Sequence, residues 1–195
     1  MRSLWLFRYL PVLLLTVLAT PAITTELLVE GVPNFHPVNA RLFRGGQPSV
    51  AAWPKLAALG ITTVIDLRRE SEHSTAAEAK AVEAAGMGYV SFPMNGFATP
   101  SAEQIEELLT LIETGDTVFV HCKVGMDRTG VVVAAYRIAR EHWANQQALD
   151  EAESLGMHWY SSGMKRFILD YRVPDQTAAE GAPSSDSTAT PVLAP

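Results

Sequence analysis

Between Val118 and Ile138 the chain has little freedom in what it can become. The apolar run Val118-Phe119-Val120 stops at His121, a glycine-containing stretch follows, and from Val131 to Ile138 apolar residues return at a density that suits a buried helix. Strand, tight loop and helix must therefore succeed one another directly across His121-Cys122-Lys123-Val124-Gly125-Met126-Asp127-Arg128-Thr129-Gly130. Backbone N–H groups of such a loop, and of the helix it opens, converge on one spot. The helix dipole adds partial positive charge there, so an oxyanion is the natural occupant. The same field favours Cys122 as thiolate, its nucleophilic form, and the planar fork of Arg128 can grip two phosphoryl oxygens.

This string resembles the loop H-C-x5-R-S/T of the cysteine-dependent protein tyrosine phosphatase superfamily, and most of all its dual-specificity and phosphoinositide-directed branch. The resemblance implies hydrolysis of a phosphate monoester in two steps, with Cys122 as nucleophile and a phosphocysteine intermediate. The phosphate would be held by the loop Lys123, Val124, Gly125, Met126 and Asp127 together with Arg128. His121 would orient the loop, and the Thr129 hydroxyl would donate to the sulfur as it leaves. Such chemistry needs no metal or other cofactor, and the five histidines show no ligand spacing in the sequence.

One departure stands out. Superfamily members commonly carry an Asp in the loop after the preceding strand, but Pro93 to Pro100 contains no carboxylate. Asp127, just before the Arg, would be the substitute general acid, unless it only hydrogen-bonds the loop amides. Without an acid the same loop would suit a module that holds phosphate and does not turn it over. Lys123 resembles the phosphoinositide-directed members, although Met126 stands where those often have a second Lys. A persulfide-forming sulfurtransferase loop is a third reading, against which His121 and Thr129-Gly130 argue.

The rest of the chain alternates strand and helix signals. Arg41 to Arg44 reads as a short strand and Gly45-Gly46-Gln47-Pro48 as a turn; LFRGGQP also resembles the opening of small bacterial members of the superfamily. Ser49 is a candidate cap for a helix over Val50 to Leu59, and Ile61 to Leu67 is a β-branched strand. It ends in Asp66-Leu67-Arg68, a triplet that resembles the family's at this strand end. There Asp66 would brace the phosphate loop or Arg68 would contact substrate, unless the two form only a surface ion pair. A helix from Ser74 or Thr75 to Ala85, a strand over Tyr89 to Phe92 and a helix capped by Ser101 with Gln104 follow. Asn145 is the expected cap of a helix over Gln146 to Leu155, and a last helix begins near Ser161 or Ser162. This order predicts an α/β fold of three layers, with a mostly parallel central sheet flanked by helices. In such sheets ligands bind beyond the carboxyl ends of the strands, where Cys122 falls.

At 195 residues the chain suits one domain, expected over 41–174, with an extended lead-in over 23–40. Residues 1–22 have the pattern of a signal peptide: Arg2 and Arg8, an apolar stretch from Leu10 to Leu18, then small residues. Export with cleavage, to periplasm or exterior, is therefore expected over stable membrane insertion. A solitary cysteine in an exported chain also wants a reason, which catalysis supplies. Residues 175–195 read as a disordered tail of Ala, Ser, Thr and Pro. The formal charge is −6, and −8 once Arg2 and Arg8 are cleaved away, which disfavours nucleic acid as a partner. The partners expected are a phosphorylated protein or a phospholipid or inositol phosphate headgroup.

Overall fold

The computed structural model describes residues 28–173. The expected signal peptide, the first part of the lead-in and the tail lie outside the described residues. Among the described residues five strands form one sheet: β1 (His36–Pro37), β2 (Leu42–Gly45), β3 (Thr63–Asp66), β4 (Gly88–Ser91) and β5 (Val118–His121). Their order is β1-β2-β5-β3-β4, with every pairing parallel except β1 with β2. The helices are α1 (Trp53–Ala58), α2 (Thr75–Ala84), α3 (Ala102–Thr114), α4 (Asp127–Glu141), α5 (Asn145–Ser154) and α6 (Ser162–Asp170). This is the three-layer α/β arrangement predicted from the alternation of signals.

Strand side chains alternate between the two faces, and the core divides accordingly. Val118 and Val120 of β5, with Leu42 and Ile65, pack under α3, α4, α5 and α6. Phe119, with Phe43 and Val64, packs under α1 and α2 beside Trp53, Leu56 and Val82. Helix α4 is buried along most of its length, including Val131, Val132, Val133, Ala134 and Ala135, which explains why its sequence is apolar on nearly every side.

Register matters most for the site. Gly45 pairs with His121 on one side of β5, and Asp66 pairs with His121 on the other. The three strings singled out in the sequence, LFRGG, HCKVG and DLR, therefore end side by side on the carboxyl edge of three neighbouring strands.

Three local expectations are corrected. Ser49 makes no side-chain cap; Val50–Ala52 forms one 3-10 turn before α1, with Pro54 in the first turn of α1, where its missing N–H costs nothing. Asn145 is the first residue of α5 and not its cap, because its amide donates to the carbonyls of Ile168, Leu169 and Tyr171 and so satisfies the end of α6. The lead-in is part of the fold, since Val32, Phe35 and Val38 are buried and His36–Pro37 adds a strand. Ser74 and Ser101 do cap α2 and α3, accepting from the N–H groups of Ala77 and Gln104. Among the described residues no helix is long and apolar enough to cross a membrane.

Candidate active site

The loop from Cys122 to Arg128 leaves central strand β5 and enters α4 at Asp127. Cys122 is 3% exposed, and the Gly125 N–H donates to its Sγ at 3.2 Å. The loop holds its shape by close backbone approach. Gly125 sits at φ +82°, and a Cβ there would lie 2.4 Å from Gly45 C and Gly46 N. A Cβ on Gly46 would in turn lie 2.7 Å from the Val124 carbonyl oxygen. Gly45 at the end of β2, Gly46 just beyond it and the glycine of the loop are therefore one requirement, two backbones passing where no side chain fits.

Donors behind the loop pull its carbonyls away from the cleft. Arg44 Nη2 and Asn34 Nδ2 donate to the Gly125 carbonyl at 2.7 and 2.9 Å, and the Gln47 N–H donates to the Lys123 carbonyl at 3.2 Å. With α4 opening here, its first-turn N–H groups have no partner within the helix and are available to an anion. Arg44 is almost wholly enclosed, and burial pushes its guanidinium down to about 10. Arg44 lies in the LFRGGQP string with no role read for it there, and Asn34 is outside every string singled out in the sequence. A charged residue in the middle of a short strand flanked by Phe43 was the available signal.

Arg128 turns into the same cleft. Its Nη1 and Nη2 donate to the two carboxylate oxygens of Glu72 at 2.7 and 2.9 Å, and Nη1 also reaches the carbonyls of Leu67 and Met94 at 3.2 and 3.4 Å. The bond from Arg128 holds the Glu72 carboxyl down at about 2, against the opposing effect of burial. Glu72 thus fixes the fork from one edge while Nε–H stays available to a ligand. Glu72 has no spacing relation to Arg128 that a sequence could reveal.

Behind the loop lies a buried ionic cluster. Arg68 donates to both oxygens of Asp66 at 2.9 Å and also to Glu78. Tyr89 donates to Asp66 Oδ2 at 2.9 Å, and His73 Nε2 lies 2.8 Å from the same oxygen. His121, stacked on Phe119, places Nε2 3.0 Å from Glu78 Oε1. Burial would raise the Asp66 carboxyl, but bonds from Arg68 and the charge of His121 outweigh it and hold the group below the ordinary carboxylate range. Asp66 and Arg68 are therefore not a surface pair. Arg68 is 5% exposed and is spent on Asp66 and Glu78, and the neighbouring Arg69 lines the cleft in its place. Asp66, His73 and Glu78 bring ligand-type atoms within 4.8 Å of one another, but the Arg68 guanidinium already spans both carboxylates, so the set does not suit a cation.

The cleft has a volume of about 270 Å³ and is lined by Cys122, Lys123, Val124, Asp127 and Arg128 from the loop. Arg69, Glu72, Gly96, Phe97, His158 and Tyr160 complete it. Lys123 and Val124 are exposed at its edge, whereas Thr129 is buried, its hydroxyl without a hydrogen-bond partner among the described residues. Phe97 and Tyr160 are 86% and 51% exposed at the rim. Asp127 faces the cleft with its carboxylate occupied. It accepts from the His158 N–H at 2.9 Å, from His158 Nδ1 at 2.7 Å and from Ser161 Oγ at 2.5 Å. Burial would raise the Asp127 carboxyl, but these donors outweigh it and hold it below its ordinary range. A carboxylate so occupied is not primed to hand over a proton, which is at odds with the role expected for it from the sequence.

The strand order and the strand-loop-helix succession from β5 into α4 form a fold shared with solved phosphatase structures. Residues 30–170 match the family described as DSP-PTPase phosphatase fused to NAD+ kinase, and the chain belongs to that family. It is 28% identical over 125 residues to the dual specificity protein phosphatase TpbA of Pseudomonas aeruginosa, a match covering 63% of this chain and 55% of TpbA. The matched span is thus about half the length of that relative. The crystal structure of P. aeruginosa TpbA in complex with pTyr superposes with a TM-score of 0.67 at 20% identity, covering 82% of this chain and 98% of that one. The core catalytic domain of the PP-IP phosphatase SIW14 from S. cerevisiae, in complex with citrate, gives a TM-score of 0.68 at 17% identity, covering 78% and 93%. At these identities the superpositions establish a shared fold.

Proposed function

We propose that the protein hydrolyses phosphate monoesters through a phosphocysteine intermediate. The observation that carries this reading is the convergence of Cys122 and Arg128 on one cleft, with the Gly125 N–H already 3.2 Å from the sulfur. The thiolate attacks phosphorus while loop amides and the Nε–H edge of Arg128 take the equatorial oxygens; water then releases phosphate from sulfur. Fixing the guanidinium with Glu72 beforehand spares the reorganisation that would otherwise accompany charge movement in the transition state.

As substrate we propose a phosphorylated aromatic side chain, phosphotyrosine in a protein. Phe97 and Tyr160 offer flat apolar surface on the rim to a ring, and the loop positions Val124 and Met126 add no charge. The lining holds three cations, Arg69, Lys123 and Arg128, against the carboxylates Glu72 and Asp127, which suits one phosphate better than several. TpbA in complex with pTyr has the same fold, and so does the PP-IP phosphatase SIW14, so an inositol polyphosphate is the competing substrate. The composition of residues 1–22 supports export as the location.

The test is turnover of phosphotyrosine peptides, phosphoserine peptides, a phosphoinositide and an inositol polyphosphate by the wild type and by Cys122→Ser. Cys122→Ser should abolish turnover and retain phosphate binding. Phosphate bound by the wild type with no ester hydrolysed would reduce the protein to a binding module. Preference for the polyphosphate would overturn the substrate assignment alone.

A further inference from the structure

With no carboxylate in the loop Pro93–Pro100 and both oxygens of Asp127 already accepting hydrogen bonds, the leaving alkoxide still needs a proton. The one other side chain of the lining that can carry a proton at neutral pH and release it within a catalytic cycle is an imidazole, His158, in the connection between α5 and α6. We propose that His158 is the general acid of this phosphatase, delivering a proton from Nε2, and that Asp127 is the residue that positions it. The inference rests on the phosphocysteine reading above.

Geometry supports this division of labour. Asp127 Oδ2 lies 2.7 Å from His158 Nδ1, and Asp127 Oδ1 accepts the backbone N–H of the same residue at 2.9 Å. A carboxylate on Nδ1 fixes the ring with a proton there and leaves Nε2 as the proton-exchanging atom. Nε2 has no hydrogen-bond partner among the described residues, and the side chain is 34% exposed. The ring is further held by stacking on Tyr160, with centroids 4.7 Å apart and planes at 18°. Ser161 Oγ occupies the other carboxylate oxygen of Asp127, so all the donors that depress this carboxyl come from the segment carrying His158. The charged and titratable groups sharing the cleft with the imidazole are Cys122, Lys123, Asp127 and Arg128 from the loop, Arg69 and Glu72 from the segment after β3, and Tyr160 beside it.

The steps balance. Cys122 thiolate attacks phosphorus, the S–P bond forms and the ester P–O bond breaks. The Nε2 proton of the imidazolium passes to the departing oxygen, leaving a neutral imidazole and a free alcohol. In the second step that imidazole takes a proton from the attacking water, the S–P bond breaks, and hydrogen phosphate, thiolate and imidazolium are restored.

The test compares His158→Asn with wild type on two aryl or alkyl phosphates, one with a good leaving group, such as 4-nitrophenyl phosphate, and one with a poor one, such as benzyl phosphate. Asn keeps an N–H near the position of Nδ1, so the bond to Asp127 survives while the titrating nitrogen is removed. Read as kcat/KM, which reports transfer to sulfur, the variant should lose about 10²- to 10³-fold on the poor leaving group and less than about 3-fold on the good one. The basic limb of the pH profile for the poor leaving group should disappear with it. Equal losses on both esters would show that His158 only holds the loop. An unchanged basic limb in His158→Asn that vanishes in Asp127→Asn would assign the proton to Asp127 instead. If His158→Asn misfolds by circular dichroism, His158→Gln is read in its place against the same criteria. Either failure would leave 4-nitrophenyl turnover dependent on Cys122; loss of that dependence would instead sink the phosphatase reading itself.

Discussion

The floor of the cleft and its rim are built by opposite means. On the floor, Gly125 and Arg128 are constrained from several sides: Gly45 and Gly46 approach Gly125, Arg44 and Asn34 hold the Gly125 carbonyl, and Glu72 clamps Arg128. On the rim, Phe97 and Tyr160 stand in solvent, and Trp159, 84% exposed, packs edge-on against Tyr160. A nucleophile and an oxyanion cradle lose effect with displacements below 1 Å, whereas a surface that receives the rest of a substrate gains from adaptable contacts. On the proposed reading, the difference assigns reaction type to the floor and substrate choice to the rim. They should therefore respond separately to mutation.

The largest effect should come from Gly125→Ala. The new Cβ would collide with Gly45 and Gly46 backbone atoms that cannot move aside without shifting β2, and the φ of +82° adds strain. A loss of about 10³-fold or more in kcat/KM on every substrate is expected, with a lowered melting temperature. If activity survived at a tenth of wild type, the floor would be far more pliable than its contacts imply.

Glu72→Gln should come next. The guanidinium loses its charged partner but keeps the carbonyls of Leu67 and Met94, so KM should rise about tenfold with kcat falling less. This variant also sharpens the pH behaviour. The Glu72 carboxyl is held at about 2 against an ordinary value of 4.5, so its contribution to stability is complete above about 4.5 and is lost as pH falls from there toward 2. Urea unfolding of wild type and variant should therefore diverge above pH 4.5 and converge on acidification. Parallel curves across that window would mean that Arg128 gains nothing from this partner.

Phe97→Ala should have the smallest and most selective effect. Because Phe97 is 86% exposed, stability should change by no more than about 0.5 kcal/mol. KM for a phosphotyrosine peptide should rise several-fold, by about the 1 kcal/mol that one aromatic contact is worth, with inorganic phosphate binding unchanged. A uniform loss across aryl and alkyl esters would erase the distinction between floor and rim.

Much of this division is visible in the order of residues. His121 to Gly130 declares its chemistry because strand, loop and helix are contiguous, so the reacting sulfur and the guanidinium are brought together by local backbone geometry. The glycine turn at Gly45-Gly46 and the string at Asp66 are visible as features, but their meeting is not, since it depends on parallel register across β2, β5 and β3. The direction in which Arg68 turns is hidden for the same reason. Whether an Arg at a strand end turns outward or inward depends on an acid elsewhere, and Glu78 of α2 waits ten residues on. Glu72, Asn34 and His158 carry no local signal at all.

What the amino-acid order determined by itself rested on short-range geometry: alternating elements, a cysteine loop at a helix start and the cap at Ser101, though not those expected at Ser49 and Asn145. Only the tertiary structure decided which charges face one another. It set Arg128 against Glu72, Arg68 against Asp66 and Glu78, and Asp127 against His158 and Ser161. The physical reason is that hydrogen bonding along a backbone acts between near neighbours in sequence. The proton affinity of a side chain is set by whatever charge and solvent the folded chain places within a few ångströms of it.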